Sequence, residues 1–274
     1  MQAVRVTTQS GGQLKIEPLP LPTIQRRGDV GADNYRRLSQ GGSTKSFTPL
    51  PADFLRTIVL ADGKFTGFAT QPGLLLTAVM SGTVTVIAGP SEKVELRTGD
   101  LLLTDDKTSS AVILDARDSV RLLQLGVSSN FPGPDAEIQP PGTFTARSGS
   151  QPNNKRVYRG EGGESAFFAD FSEIYPSTPG TWSQPYAVKG FRMMYWDQGE
   201  MDFHPCVINQ IGVFLSGEHT TDVRGGGGAI ESLRAGDICM SEDTTGEGHR
   251  NRVTGGMHAI VIVMGENNYW PLAS

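Results

Sequence analysis

Phe214-Leu215-Ser216-Gly217, a short strand and its return, then Arg234-Ala235-Gly236-Asp237-Ile238 is the stretch that decides the fold, because the chain has already used it once. The earlier copy is Val79-Met80-Ser81-Gly82, a strand, then Arg97-Thr98-Gly99-Asp100-Leu101. In both, Ser-Gly reads as a turn ahead of a hairpin strand and Gly-Asp as the turn behind it. The second copy is longer between its glycines, and the Gly225 to Gly228 run absorbs the difference as a φ-permissive connection; no helix pattern follows it, so it is not read as a phosphate loop. A duplicated fold is expected. Only the later copy runs on into Glu242-Asp243-Thr244-Thr245-Gly246-Glu247-Gly248-His249, and only it is preceded by His204 and Gln210. Reactive groups are therefore expected in the C-terminal half.

Outward from that phrase, the chain has 274 residues with 34 glycines and 17 prolines among short apolar alternations. Helical periodicity is nearly absent, so the fold class is all-β. Strands are expected at 4 to 6, 14 to 16, 57 to 60, 65 to 68, 74 to 79, 84 to 88, 93 to 96, 101 to 103, 111 to 114 and 120 to 125. In the later half they are expected at 157 to 159, 166 to 174, 190 to 196, 207 to 215, 219 to 223, 229 to 233, 237 to 241 and 259 to 264. The Pro-, Gly- and Ser-rich stretch around 128 to 155 reads as a connection. The division is thus an N-terminal unit at 1–135, a linker at 136–155 and a C-terminal unit at 156–274. Residues 24 to 50 are polar and turn-rich, with no assigned role.

The formal net charge is -5 and no Lys/Arg run is dense enough to track phosphates, which argues against nucleic acid as a partner. No segment reaches the roughly 20 apolar residues that span a bilayer, and Met1 to Ser10 lacks the apolar core of a signal peptide. A cytoplasmic location without membrane contact is expected. The two cysteines, Cys206 and Cys239, are expected to be reduced.

The apolar-Ser-Gly and Gly-Asp steps, with a histidine closing Gly246-Glu247-Gly248-His249, resemble the cupin superfamily, and two copies resemble a bicupin. The resemblance covers most of 55 to 125 and of 157 to 265. It implies two tandem cupin-type double-stranded β-helix barrels, jelly rolls whose interior holds one small ligand. In that superfamily two histidines stand one residue apart, then a glutamate follows, and a glycine lies seven positions after it. Counted back from Gly217, His204 takes the first place, Cys206 the second histidine and Gln210 the glutamate; His249 matches the closing histidine. Gln replaces Glu in the similar subgroup as well. The same count from Gly82 lands on Ala69, Gln71 and Leu75, and no histidine precedes residue 204. The first barrel is thus a degenerate copy that lacks the metal site and supplies structure.

The motif positions imply that His204 and His249 converge from different strands, with Gln210 between them. Two chemistries are open. Without metal, His204, His249 and Gln210 form an acid/base site, in which Asp243, Glu242 or Glu247 could orient His249. With metal, His204, Gln210 and His249 hold one divalent ion, Zn, Fe, Ni or Cu, and Cys206 is either a fourth ligand or a small buried side chain. Cys239, His219 and His258 read as structural. Tyr195, Trp196, Met194, Phe203 and Phe214 could line a pocket for an apolar substrate, although core packing accounts for them equally well. Tyr269-Trp270 reads as a barrel cap or as part of a homodimer interface. The absence of a nucleophile elbow, P-loop or dinucleotide fingerprint leaves hydride and phosphoryl transfer unsupported. The expected function is a lyase, isomerase or cyclase acting on a small, largely apolar organic molecule; a metal-dependent (Fe) dioxygenase and a non-enzymatic binding or storage-type bicupin are the rivals.

Overall fold

The computed structural model describes residues 1–26, 49–66, 73–105, 108, 111–133, 136–137, 152–168 and 174–264. Its strands are β1 (Ala3–Thr8), β2 (Leu14–Pro18), β3 (Thr23–Arg26), β4 (Ala52–Leu60), β5 (Gly63–Phe65), β6 (Leu74–Ile87), β7 (Lys93–Arg97), β8 (Leu101–Thr104) and β9 (Ile113–Val127). They continue as β10 (Asn154–Arg159), β11 (Ser165–Phe168), β12 (Tyr186–Trp196), β13 (Gly199–His204), β14 (Gln210–Val223), β15 (Ala229–Arg234), β16 (Ile238–Ser241) and β17 (His249–Met264). The described chain is all-β apart from single turns of helix, and no helix in it is long and apolar enough to cross a membrane.

Two compact units form. The first gathers Met1–Pro22, Pro51–Pro141 and Glu173–Ala187; the second gathers Thr23–Leu50, Gly142–Ser172 and Val188–Ser274. Besides its main run, the first unit includes Glu173–Ala187 and the second Thr23–Leu50. Ladder pairing carries both: β3 adds a parallel strand to β12, and Ser183 N–H donates to the Thr57 carbonyl at 2.8 Å.

The duplication extends to the ladders. In the first unit β1 pairs with β2 and, in parallel, with β8; β8 pairs with β6, and β6 with β7 and β9. In the second, β10 takes the same partners in β11 and β16, β16 pairs with β14, and β14 with β15 and β17. Each long strand pairs with one neighbour before its Ser-Gly step and another after it, and keeps β9 or β17 along its other edge. This is the double-stranded β-helix topology, twice.

The Ser-Gly step differs from the expectation of a turn. β6 and β14 run through it, and the register shifts on both sides of Ser81 and of Ser216 mark a bulge. Gly82 and Gly217 take φ of 83° and 74°, which lets a strand bend without ending. At Gly217 the backbone of Gly256 lies so close that a Cβ would collide with its carbonyl. The Gly-Asp turns match bond for bond. Asp100 accepts from the backbone N–H of Gln2 at 2.5 Å and of Arg97 at 2.9 Å; Asp237 accepts from Asn153 at 2.6 Å and Arg234 at 2.8 Å. Each carboxylate closes its turn and ties in the strand that opens its unit.

Side chains then separate the copies. Inside the first unit Val84, Val86, Val112 and Leu114 belong to one apolar cluster. The ladder pairs Val84↔Ala116 and Val86↔Leu114 correspond to His219↔Val253 and Thr221↔Asn251 in the second. The first barrel is filled where the second carries polar groups.

Candidate functional site

The second unit holds a cavity of about 90 Å³ whose walls come from β3, β12, β13, β14, β16 and β17. β14 supplies Gln210, Gly212 and Phe214 before the bulge, then His219 and Thr221 after it. Strict alternation from Phe214 would turn residues 216, 218 and 220 inward. The bulge at Ser216 shifts the phase by one, so His219 and Thr221 face the cavity instead. His219 was expected to be structural; its ring lines the site. β17 contributes His249 and Asn251, then Met257, Ala259 and Val261; β12 contributes Arg192, Met194 and Trp196; β13 contributes Met201 and His204.

His204 and His249 face each other across a direct ladder pair, with ring centroids 5.0 Å apart. The local sequence explains the approach. Gly248 has φ 80°, and a Cβ there would collide with the His204 carbonyl, so only glycine lets the start of β17 lie against the end of β13. His204 Nδ1 lies 2.6 Å from the Asp202 carbonyl oxygen, which can only accept, so Nδ1 carries the hydrogen and Nε2 the lone pair. His249 Nδ1 lies 2.7 Å from Asp243 Oδ2, which orients the ring and fixes the same tautomer. Asp243 is fully buried and also accepts from Ser165 Oγ at 2.7 Å. The other carboxylates of the loop are engaged elsewhere, Glu242 with Arg156 and Glu247 with Arg224 at 3.0 Å.

His219 stacks on Phe214 at 5.0 Å and 21°. Burial, then the charges of His249 and His204, push its pKa down to about 3, so it stands neutral beside the pair. Thr221 Oγ1 links it to Asn251, at 3.5 Å from His219 Nδ1 and 3.1 Å from Asn251 Oδ1. His258, also neutral by burial with a pKa near 4, bonds Ser216 Oγ at 2.9 Å outside the cavity wall, in the structural role expected of it.

Of the side chains expected to receive an apolar substrate, Met194, Trp196 and Phe214 line the cavity. Tyr195 does not: alternation on β12 turns it away, its ring packs on His258 at 4.7 Å and its hydroxyl bonds Asp197. Phe203 does not either. The register shift between Met201 and His204 puts those two inward and leaves Phe203 half-buried under Arg224 and Arg250, at 4.0 and 5.4 Å. Arg192 was not anticipated, although it shares a face with Met194 and Trp196 two and four residues on. Tyr269 and Trp270 lie outside the described residues.

Both cysteines are free and buried. Cys206 stands off the cavity wall, where Gln210 Nε2 donates to its sulfur at 3.4 Å; burial, then Asp243, push its thiol well above the ordinary range. Burial likewise pushes Cys239 up to about 12, and its side chain closes the cavity floor within the apolar cluster. Neither thiol is a thiolate near neutrality.

A divalent ion has two sets of donors to consider. Nε2 of His204, Nε2 of His249 and the Gln210 amide face one space, but none of the three is a carboxylate, no Asp or Glu lines the described wall, and Arg192 does. The ring nitrogens suit an ion and the charges do not. Cys206, Asp243 and His249 form a second, buried group whose ligand atoms lie within 4.8 Å of one another. Without an ion the surroundings keep the Cys206 thiol protonated, and Asp243 Oδ2 is engaged by His249 Nδ1 while Asp243 Oδ1 has no hydrogen-bond partner among the described residues. An ion would displace the thiol proton, and of the two sets this one carries the negatively charged donors that a divalent ion needs.

No family model matches the sequence, and no curated protein matches it. Solved structures do. A cupin 2 conserved barrel domain protein from Leptotrichia buccalis is 14% identical with a TM-score of 0.39, over 85% of this chain and 95% of that one. A protein of unknown function of the DUF861 family from Pseudomonas syringae pv. tomato is 13% identical with a TM-score of 0.38, over 96% and 100%. An oxalate decarboxylase from Lactobacillus farciminis is 13% identical with a TM-score of 0.28, over 78% of each chain. These are likenesses of fold, and the activities in those names belong to those proteins. With its strand order, its bulged central strands and its Gly-Asp turns all present in duplicate, the chain has the cupin fold twice over.

Proposed function

We propose that the second barrel is the site of an enzyme that moves protons on a small organic molecule with a mainly apolar body, as a lyase, isomerase or cyclase. The observation that carries the reading is the His249–Asp243 pair, bonded at 2.7 Å with His204 across from it and Met194, Trp196, Phe214, Met257 and Ala259 on the apolar part of the wall. Asp243 holds the imidazole so that Nε2 faces the cavity, and sets a negative charge beside the ring as Nε2 takes up a proton. A proton removed from a carbon next to a carbonyl leaves an enolate, whose oxygen can accept from the Gln210 amide. Returning that proton to another atom gives isomerisation. Returning it to a departing group gives elimination.

The size of the cavity limits the reacting part of the substrate. A cavity of roughly 150 Å³ takes up benzene, so about 90 Å³ accommodates about four non-hydrogen atoms. The test is hydrogen exchange at carbon. Acetone, butanone, acetate and pyruvate are incubated with the protein in deuterated buffer, and loss of the α-proton signal is followed by NMR. The reading expects exchange of at least one of them to be accelerated by the protein, and His249→Gln to lower that rate by about 100-fold or more. Exchange no faster than in buffer, or unchanged in His249→Gln, sinks it.

A further inference from the structure

Behind the cavity wall the second barrel gathers another set of polar groups. Cys206 follows β13, Asp243 follows β16 and His249 opens β17, and the Cys206 N–H donates to the Asp243 carbonyl at 3.0 Å, which holds the two loop segments side by side. The three side chains are buried, and their sulfur, oxygen and nitrogen ligand atoms lie within 4.8 Å of one another. Neither Cys206 nor Asp243 lines the cavity. His249 belongs to both spaces, because Nε2 faces the cavity and Nδ1 faces Asp243.

The carboxylate has one oxygen to spare. Asp243 is 0% exposed; its Oδ2 meets His249 Nδ1 and Ser165 Oγ, each at 2.7 Å, while its Oδ1 is buried with no hydrogen-bond partner among the described residues. A bare carboxylate oxygen in a protein interior is costly, and a cation removes that cost. The charges agree with this. A divalent ion held by one thiolate and one carboxylate makes a neutral group, which a buried site tolerates better than it does a lone charge. Thiolate, imidazole and carboxylate together suit zinc, at about 2.3 Å from sulfur and about 2.0–2.2 Å from nitrogen or oxygen. Cys206 and Asp243 both lie outside the strands, where donors can close on an ion without breaking a ladder.

We infer that Cys206, Asp243 and Nδ1 of His249 form a zinc site behind the cavity, and that an ion bound there withdraws Nε2 of His249 from proton transfer. The motif count points to a different place, an ion inside the cavity on the opposite nitrogen of the ring. The incoming zinc takes the Nδ1 lone pair; the ring keeps its one hydrogen, now on Nε2, and the Cys206 thiol proton leaves to solvent. An Nε2 that carries the hydrogen donates and cannot accept. The binding of the ion stands on the three ligands alone, whereas its effect on turnover rests on the acid/base reading of the same ring.

Cobalt(II) is the probe, because its bond to a thiolate absorbs in the near ultraviolet and its bonds to imidazole and carboxylate do not. Titrated into the whole protein after treatment with a chelator, it is expected to bind once per chain with that absorption, to release about one proton per ion, and to be displaced by zinc. Cys206→Ala should lose the absorption and weaken binding by about 100-fold or more. His204→Ala and Gln210→Ala remove donors of the cavity set and should retain both. In protein with ¹⁵N-labelled histidine, NMR reads the tautomer directly, with the His249 hydrogen on Nδ1 before zinc and on Nε2 after it. No thiolate absorption in the wild type, an absorption that survives in Cys206→Ala, binding lost in His204→Ala, or a His249 hydrogen still on Nδ1 with zinc bound overturns the inference. Carbon-acid exchange that runs in the ion-free protein and stops with zinc supports it. Zinc bound in this way by a protein that catalyses no exchange when ion-free overturns the acid/base reading alone.

Discussion

Acidifying the protein should loosen the second barrel through His219, and the effect can be sized. Its imidazole titrates at 6.5 by ordinary standards and at about 3 within the fold, because burial and the neighbouring His249 and His204 oppose a charge there. Between those values the unfolded chain binds a proton that the folded chain does not, so the contribution is complete above about pH 6.5 and is lost as the pH falls toward about 3. At about pH 4.5 the loss is two pH units' worth, about 2.7 kcal/mol. That is a large part of the stability of an ordinary domain. His258 acts in the same direction, with its pKa near 4. The assay is amide hydrogen exchange of β14 and β17, corrected for the intrinsic effect of pH, at about pH 7.5 and 4.5, on the wild type and on His219→Gln. Glutamine does not titrate there and retains an amide toward Thr221 and Asn251. The wild type should lose about 2.7 kcal/mol more than the variant between the two conditions. Parallel losses in the two proteins would refute the claim that His219 is held neutral by the cavity wall.

Other consequences are equally local. Asp237→Asn replaces a buried carboxylate that accepts from two backbone N–H groups, and it should cost roughly 2–3 kcal/mol, read as lost exchange protection in β10 and β16 with β1 and β8 unaffected. Gly248→Ala meets both a φ of 80° and the His204 carbonyl, whereas Gly255→Ala meets a φ of 83° in open space. The first should lose the carbon-acid exchange and lower the melting temperature well beyond the second, whose cost is about 1 kcal/mol. Removing divalent ions with a chelator should not lower the exchange rate. A rate abolished by chelation and restored by one ion would transfer the chemistry to a metal, and Cys206→Ser against His204→Ala would tell which of the two donor sets holds it.

Much of this was legible in the chain. The repeated phrase placed the hairpins, and the motif count placed His204, Gln210 and His249 around one space, because glycine positions fix where a strand can bend or approach another. What alternation could not reveal is phase after a bulge. His219 and Thr221 turn inward, and Phe203 turns outward, because single-residue shifts at Ser216 and between Met201 and His204 invert the pattern. Asp243 was one of three acidic candidates beside His249, and only the path of the loop separates it from Glu242 and Glu247, which are drawn off by Arg156 and Arg224. Short elements were missed where propensity is weak: Thr23–Arg26 is a strand because it has β12 to pair with, not because its residues demand it.

Arg192 was concealed for a different reason. A lone arginine among Met, Tyr and Trp carries no pattern, and its meaning emerges only when the ladders of the two copies are laid over one another. The first barrel replaces the polar row of the second with Val84, Val86, Val112 and Leu114, each burial contributing about 1.5–3 kcal/mol, and so converts a cavity into core. It keeps an arginine at the register position of Arg192, as Arg56, and bonds it to Gln124, which Thr77 holds in turn. One barrel thus spends its interior on packing and the other keeps space for a guest. A small molecule held in that space should stabilise the second unit by mass action and leave the first indifferent, which makes exchange protection in β12, β14 and β17 a readout of the ligand before any reaction is known.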